Sequence, residues 1–447
     1  MTADVVVIGG GLSGLAAAVR LALDGAHVVL VEQRGKLGGR TYSYLDQTTG
    51  DIVENGQHVL VGAYRQTLKY LDLIGTRDLL HSVHRLRLTF HHPKKGFSGF
   101  ELAALPQPLN IAAGMMKFKL LSFNDRQKML HVGLQLKSWN GQLESRLAKM
   151  NVEEWLDDLG QSEEAKRCFW HPIAISMMNE LPNRASALLF ARSIKNTFLG
   201  KRSDATMLIP TVGQTELYVD GAARLLQRRK AKTLLDSEVE SIVIEKDVAA
   251  AVKLRNGKLL SAGAVIAAVP HYALGRLLPA KLRRISPFAH ISSLPSSPIV
   301  SVHLWFDRPI VDDLYVGLID RHLQWVFNRR RITGEKGKPE NYISAVISAA
   351  HQYVGMKKHD LVRLSVADLK TAFPAAKSAT LLHSVVIKEK RATLSPTNDA
   401  ECHRPRHVTP VRNFFLAGDW TDTGLPPTIE GAVMSGFACA TAARSGI

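Results

Sequence analysis

A β-branched run ending in Gly-x-Gly-x-x-Gly, a second strand–turn–helix junction near the C-terminus, and a stretch of alternating strands between them predict an α/β protein. The expected architecture is a Rossmann-like dinucleotide-binding domain assembled from discontinuous segments. The intervening lengths carry no phosphate-binding features and form an α+β second domain. With 447 residues, 46% apolar and 22% charged, the chain is long enough to bury a large core without a metal or disulfide staple.

The first element is Val5-Val6-Val7-Ile8, read as a buried parallel strand. Gly9, Gly11 and Gly14 follow at once, and Leu15 to Leu23 reads as an alanine-rich helix ended by Gly25. His27 to Val31 is a second strand, closed by Glu32. Gly9 permits the tight turn, Gly11 lets the backbone approach a pyrophosphate, and Gly14 lets helix and strand pack closely. The turn into this helix, with Leu12 and Ser13 as cofactor-contact candidates, presents free N–H groups and a partial positive charge to the phosphates. Glu32, eighteen positions beyond Gly14, is placed to hydrogen-bond a ribose hydroxyl, with Gln33 beside it.

This fingerprint alone does not separate NAD from FAD. Gly38-Gly39-Arg40, just past the second strand, suits a loop along the pyrophosphate with Arg40 as a charge-assisted donor. Near the C-terminus, Asn413 to Ala417 is an apolar strand running into Gly418-Asp419. Thr428-Ile429-Glu430-Gly431-Ala432 then opens a helix of small residues reaching about Ala443. Main-chain N–H groups at that second helix start can face the pyrimidine edge of a flavin, and Asp419 can hold a ribityl hydroxyl. A nicotinamide enzyme needs no second grip, so the expected cofactor is FAD. Between the two junctions, Lys232 to Ile244 alternates apolar and polar residues. Val252 to Leu254 with the Asn256-Gly257 turn makes a hairpin, and Ala264 to Val269 is another apolar strand.

Together these features resemble the flavin amine oxidase and phytoene desaturase superfamily, over the whole length of the chain. Three stretches look narrower: Glu54-Asn55-Gly56-Gln57-His58 with Gly62-Ala63-Tyr64; Phe169-Trp170-His171-Pro172 with Met178-Asn179 and Ala185-Ser186-Ala187; and Gly418 to Pro426, continuing to Glu430-Gly431. They resemble the squalene-associated FAD-dependent desaturase family, whose characterised members are bacterial hydroxysqualene dehydroxylases. The resemblance implies an FAD-binding domain built from residues 1–75, 206–290 and 406–447, and a substrate domain from 76–205 and 291–405. It also implies cofactor contacts at Gly56, Gln57 and His58, and a backbone contact from Val239 to the adenine. One departure is the loop Pro210-Thr211-Val212-Gly213-Gln214-Thr215, which has fewer glycines than the superfamily pattern.

The implied reaction is reductive removal of an allylic hydroxyl from hydroxysqualene, giving squalene for hopanoid synthesis. Such a reaction needs an acid for the leaving hydroxyl and a dry pocket suited to a transient cation. His58, His171 and Glu180 are the candidate acids; Phe169 and Trp170 are candidates for the lining. Competing readings are desaturation of a carotenoid precursor, oxidation of an amine, and a prenyl-binding chaperone without catalysis. Trp420 is the sole aromatic residue in the stretch where amine oxidases place an aromatic cage, and the flavin motifs that a chaperone would have lost are present. The external electron donor is not legible.

A formal charge of +17, with basic clusters at Arg228–Lys230, Arg283-Arg284 and Arg329–Arg331, favours anionic surfaces. No nucleic-acid module accompanies it, so an anionic membrane surface is the expected partner and the substrate a lipophilic isoprenoid. Ile111 to Leu136, including Met115-Met116-Lys117-Phe118-Lys119-Leu120-Leu121, is apolar with interleaved lysines, as an interfacial segment or a core helix pair would be. No run long enough to span a bilayer is present. Cys168, Cys402 and Cys439 are scattered and odd in number, which suits a reducing compartment and neither a disulfide framework nor a metal site. The expected location is cytoplasmic, peripheral at the inner face of the cell membrane.

Overall fold

The structure is a computed structural model that describes residues 2–83, 86–106, 109–335 and 337–445. Its first sheet draws on the two ends and the middle of the chain. The strands are β1 (Thr2–Ile8), β2 (Val28–Val31), β3 (Lys232–Leu234), β4 (Val239–Glu245), β5 (Val248–Leu254), β6 (Leu259–Ala267) and β7 (Phe414–Leu416). Their order is β3-β2-β1-β6-β5-β4, with β7 also paired to β6. The pairs β3–β2, β2–β1, β1–β6 and β6–β7 are all parallel, while β4, β5 and β6 form an antiparallel meander. Val5, Val6 and Val7 have no exposed surface, as a strand covered on both faces requires. Each such side chain contributes roughly 1.5–3 kcal/mol relative to leaving it in water.

Helix α1 (Leu12–Leu23) follows β1, and α2 (Ile429–Ser445) follows β7. Their alanines and glycines let the two backbones come close. A Cβ on Gly436 of α2 would lie 2.2 Å from the carbonyl O of Ser13 in α1, and one on Gly14 would lie 1.9 Å from Gly9 O. Only glycine fits at either place. Ala16, Ala17, Ala18, Val433, Cys439 and Ala440 fill the layer between these helices and the sheet.

The second sheet has seven strands in the order Leu381–Leu394, Ser296–Phe306, Tyr342–Ile347, Trp325–Asn328, Tyr315–Leu318, Arg87–His92, Gly96–Glu101. Helices from residues 109 to 198 pack on it around an aromatic core: Phe100, Phe118, Phe169, Trp170 and Phe190 meet edge to face at centroid separations of 5.2–6.3 Å. Phe169 and Trp170 therefore stand in this core rather than on a pocket wall, and Trp170 donates its Nε1 to Gln161 Oε1 at 2.9 Å.

Burial decides between the two readings of one segment and changes one expectation. Met115, Phe118, Leu120 and Leu121 are buried in the same core, so the Met115–Leu121 run is chiefly packing; Lys117 and Lys119 are exposed. Of the Arg329–Arg331 cluster only Arg331 reaches solvent. Arg330 pairs with Asp51 at 2.6 Å and Arg329 lies 3.4 Å from Glu54, both buried. The clusters Arg228–Lys230 and Arg283-Arg284 are exposed. Cys168 and Cys439 are buried and Cys402 exposed, all as free thiols.

The Gly436→Val variant is expected to lose about 1–3 kcal/mol of stability through overpacking against α1. Urea denaturation checks this; a change within ±0.5 kcal/mol would mean the two helices are free to part.

Candidate functional site

All the parallel strands end at the same edge of the sheet, so the turns after β1 and β7 emerge there together, with β6 between them. At the first turn, Gly9 N–H donates to Val31 O at 2.7 Å, and Ala268 N–H donates to Ile8 O at 2.7 Å. The turn is thus held from both neighbouring strands. Helix α1 starts with Gly11 as its N-cap, in extended backbone and without a side-chain cap. A helix opening in this way offers the N–H groups of its first turn, including Leu12 and Ser13, to a phosphate. Gly38 N–H donates to Gly10 O at 2.8 Å, which lays the Gly38-Gly39-Arg40 loop against the first turn.

Glu32 is buried at the end of β2, where its carboxylate accepts from Gly10 N at 2.7 Å and from Arg34 N at 3.0 Å. It fixes the glycine loop, and the carboxylate has lone pairs to spare for a ribose hydroxyl. Ser237 N–H donates to Glu32 O at 2.9 Å, bringing the start of β4, and with it Val239, to the same corner; Gln33 is exposed.

The second junction lies against the first. Arg40 Nη2 donates to Asp419 Oδ1 at 2.6 Å, joining residues 379 apart, and Arg40 Nη1 donates to Ala392 O at 2.7 Å. Gly418 N–H is held by Ser435 Oγ at 2.8 Å. Thr428 Oγ1 accepts from Gly431 N at 3.3 Å, capping α2 as Ile429 begins it. Glu430, in the first turn of α2, performs a task that no local pattern announced. Its carboxylate accepts from Gln66 N and Thr67 N, both at 2.8 Å, and from Thr67 Oγ1 at 2.7 Å, capping the helix Arg65–Ile74.

A third side is made by Glu54 to His58. Asn55 Nδ2 donates to Arg40 O at 2.5 Å, and Gln214 Nε2 donates to Asn55 Oδ1 at 2.8 Å and to Gly56 O at 2.9 Å. Ser301 Oγ donates to Asn55 O at 2.8 Å, and His303 Nε2 donates to Glu54 O at 2.9 Å. Gln57 is held from both ends, Arg329 donating to its Oε1 and its own Nε2 donating to His58 O. Gln214, the residue at the glycine-poor departure, thus replaces backbone flexibility with a buried amide tie. Burial, then the neighbouring Arg329, pushes His303 down to about 3, so it stays neutral with Tyr342 Oη donating to its Nδ1.

The proposed acids fare differently. Desolvation pushes His58 down to about 4, and its Nδ1 donates to Gly56 O at 2.9 Å. A neutral imidazole with Nδ1–H committed offers only the Nε2 lone pair. His58 is therefore an acceptor near neutral pH, not the proton donor expected. Glu180 is fully buried and bound by Leu181 N at 2.9 Å, by Ser395 Oγ at 2.5 Å and by His351 Nε2 at 3.1 Å, a structural tie between the helical segment and the strand ends of the second sheet. His171 Nε2 lies 2.8 Å from Glu153, a carboxylate it shares with the buried ammonium of Lys166. His92, Glu164 and Cys168 also converge, but His92 Nδ1 accepts from Lys94 N and Lys95 N, leaving the proton on Nε2, and the Lys95 ammonium sits 2.7 Å from Glu164.

A cavity of about 620 Å³ opens where the loop before α2 meets the helix Ala187–Phe198, lined in part by Tyr64, Met177, Leu199, Leu425, Thr428 and Met434. Its volume is in the range of small-molecule sites. Its walls also carry charge: Arg65 pairs with Asp204 at 3.0 Å and Arg192 with Glu144 at 3.3 Å.

Two helix N-termini at one sheet edge, a buried carboxylate at the end of β2 and a cavity beside the second helix are the features of a dinucleotide-binding protein. The chain matches the family model described as flavin containing amine oxidoreductase over residues 12–444, and it belongs to that family; its cofactor is FAD. It is 27% identical to a hydroxysqualene dehydroxylase of Sinorhizobium fredii, covering 100% of this chain and 99% of that one. It is 26% identical to a 15-cis-phytoene desaturase of Synechococcus elongatus, covering 97% and 94%. In fold it is similar to an oxidoreductase of Methanosarcina mazei, with a TM-score of 0.76 and 19% identity over 98% of this chain and 99% of that one.

Because His303 is buried neutral, the unfolded chain takes up its proton below about 6.5 while the folded chain does so only near 3. Stability is present above about 6.5 and is lost on acidification, by about 2 kcal/mol at pH 5. Urea denaturation at pH 7 and pH 5 is expected to show a loss smaller by that amount in the His303→Asn variant; equal losses in both proteins would disprove the assignment.

Proposed function

We propose that the protein removes the allylic hydroxyl of hydroxysqualene reductively, giving squalene. The observation that carries this reading is the end-to-end likeness to hydroxysqualene dehydroxylase, which leaves neither chain with a long unmatched segment. Bound FAD supplies hydride exchange at its N5 position. The balance is one hydride to carbon and one proton, drawn from solvent water, to the departing hydroxyl, which leaves as water; an external two-electron donor restores the cofactor.

The chain's own residues position and exclude. Gln57, fixed at both ends, cannot rotate. His58 Nε2 keeps a lone pair that can accept a hydrogen bond from a substrate hydroxyl. Leu425, Met177 and Met434 supply apolar wall to an isoprenoid chain. Trp420 is turned into the core, where its Nε1 donates to Val269 O at 2.9 Å, so it contributes no face to a cage for a cationic amine. This favours an uncharged lipophilic substrate.

Such a substrate lives in a bilayer. Among the described residues no helix is long and apolar enough to cross one. Leu109, Phe123 and Leu134 are nevertheless exposed on the helices Leu109–Lys117 and Phe123–Lys137, which also expose Lys117 and Lys137. With the net charge of +17, these side chains make an anionic membrane surface the docking partner.

Dithionite-reduced holoenzyme incubated anaerobically with hydroxysqualene is expected to yield squalene, identified by mass spectrometry. If squalene is absent while the oxidised enzyme desaturates 15-cis-phytoene, the protein is a desaturase instead. Sedimentation with phosphatidylglycerol-containing liposomes should be strong at low salt and fall as salt rises. Equal recovery in the supernatant with and without liposomes would rule out membrane docking.

A further inference from the structure

Arg404, just past the short helix Asn398–His403, has a side chain with no exposed surface. Its Nη2 donates to the main-chain O of Asp419 at 3.0 Å and of Thr421 at 2.5 Å. Its Nη1 donates to Leu425 O at 2.9 Å and to the Glu401 carboxylate at 2.9 and 3.1 Å. Next to it, Pro405 O accepts from Asp422 N at 2.8 Å. Three of the arginine's acceptors thus belong to one loop, residues 418–428, between β7 and α2. Gly418 O accepts from Thr421 N at 3.1 Å and Thr428 O from Ala432 N at 2.9 Å, so the ends of the loop hold themselves, and between them Arg404 is the donor to three carbonyls. The loop carries Asp419 at one end and Thr428 at the other, and it supplies Thr423, Gly424, Leu425 and Pro426 to the cavity wall.

We infer that Arg404 is a positioning residue: it sets the shape of the 418–428 loop, and through it the placement of Asp419 toward the flavin and of Leu425 toward the substrate. The inference rests on the flavin-dependent reading above. Arg404 donates to main chain alone within the loop, so its effect passes through loop geometry. A planar guanidinium with five donors can hold three carbonyls and a carboxylate at once, whereas an ammonium offers three donors from one point. Without the fork, buried carbonyls lose their donors and the loop must open to hydrate them.

The test compares the holoenzyme with Arg404→Gln, Arg404→Lys and Glu401→Gln. FAD affinity is read by flavin fluorescence, cofactor environment by visible circular dichroism, and turnover by kcat and KM for hydroxysqualene. Far-ultraviolet circular dichroism reports folding. Both arginine variants are expected to keep the fold, weaken FAD binding by about tenfold or more, change the visible dichroism of the bound flavin and raise KM. Glu401→Gln, which leaves the loop bonds intact, is expected to bind FAD within about threefold of the wild type. Arginine variants with affinity within about twofold of wild type and unchanged visible dichroism would overturn the inference. So would equal losses in Glu401→Gln, which would mark a simple buried ion pair, or failure of both arginine variants to fold, which would mark a folding residue. A wild-type protein that takes up no FAD sinks the flavin reading itself, and this inference with it.

Discussion

The site depends on one pairing, that of β6 with β1 on one side and β7 on the other. All three strands run in the same direction. The turns that follow β1 and β7 are therefore forced to the same edge, one strand apart, although some 400 residues of chain separate them. The contact between α1 and α2 and the ion pair of Arg40 with Asp419 follow from this. A single parallel strand from the middle of the chain thus fixes the distance between the N-termini of α1 and α2.

The second sheet is tied directly to the third side of the site. Ser301, His303 and Arg329 reach from it to the main chain and side chains of residues 54–57, and Gln214 ties the same residues from below. Cofactor and substrate regions are joined by buried hydrogen bonds, not by apolar packing alone. Such bonds are directional, and a buried partner left without its mate is costly. The relative placement of the two regions is accordingly narrow, which suits hydride transfer between a flavin and a carbon atom.

What the sequence disclosed was local. Strand β1, the glycine turn, α1, Glu32 and the Gly418-Asp419 junction each carry their signal within a few residues, because turn geometry and phosphate approach restrict residue type. What it withheld was long-range. Arg329 and Arg330 look like a surface charge cluster until Asp51 and Glu54, nearly 280 positions away, are beside them. Phe169 and Trp170 have the same composition whether they line a pocket or fill a core, and only packing separates the two. Helix α1 starts at Leu12 rather than Leu15, because Gly11 itself serves as the cap. The hairpin between β4 and β5 turns on Lys246 and Asp247 at φ of 49° and 60°, a conformation ordinarily flagged by asparagine or glycine.

The carboxylate of Glu430 completes a helix that begins at Arg65. During synthesis at about 5–20 residues per second, that early helix leaves the ribosome roughly 20–70 s before its cap exists. In that interval β1 and β6 also wait for β7. Until β7 and α2 are made, the nascent sheet lacks its second strand-to-helix junction, and the helix Arg65–Ile74 stays without its cap.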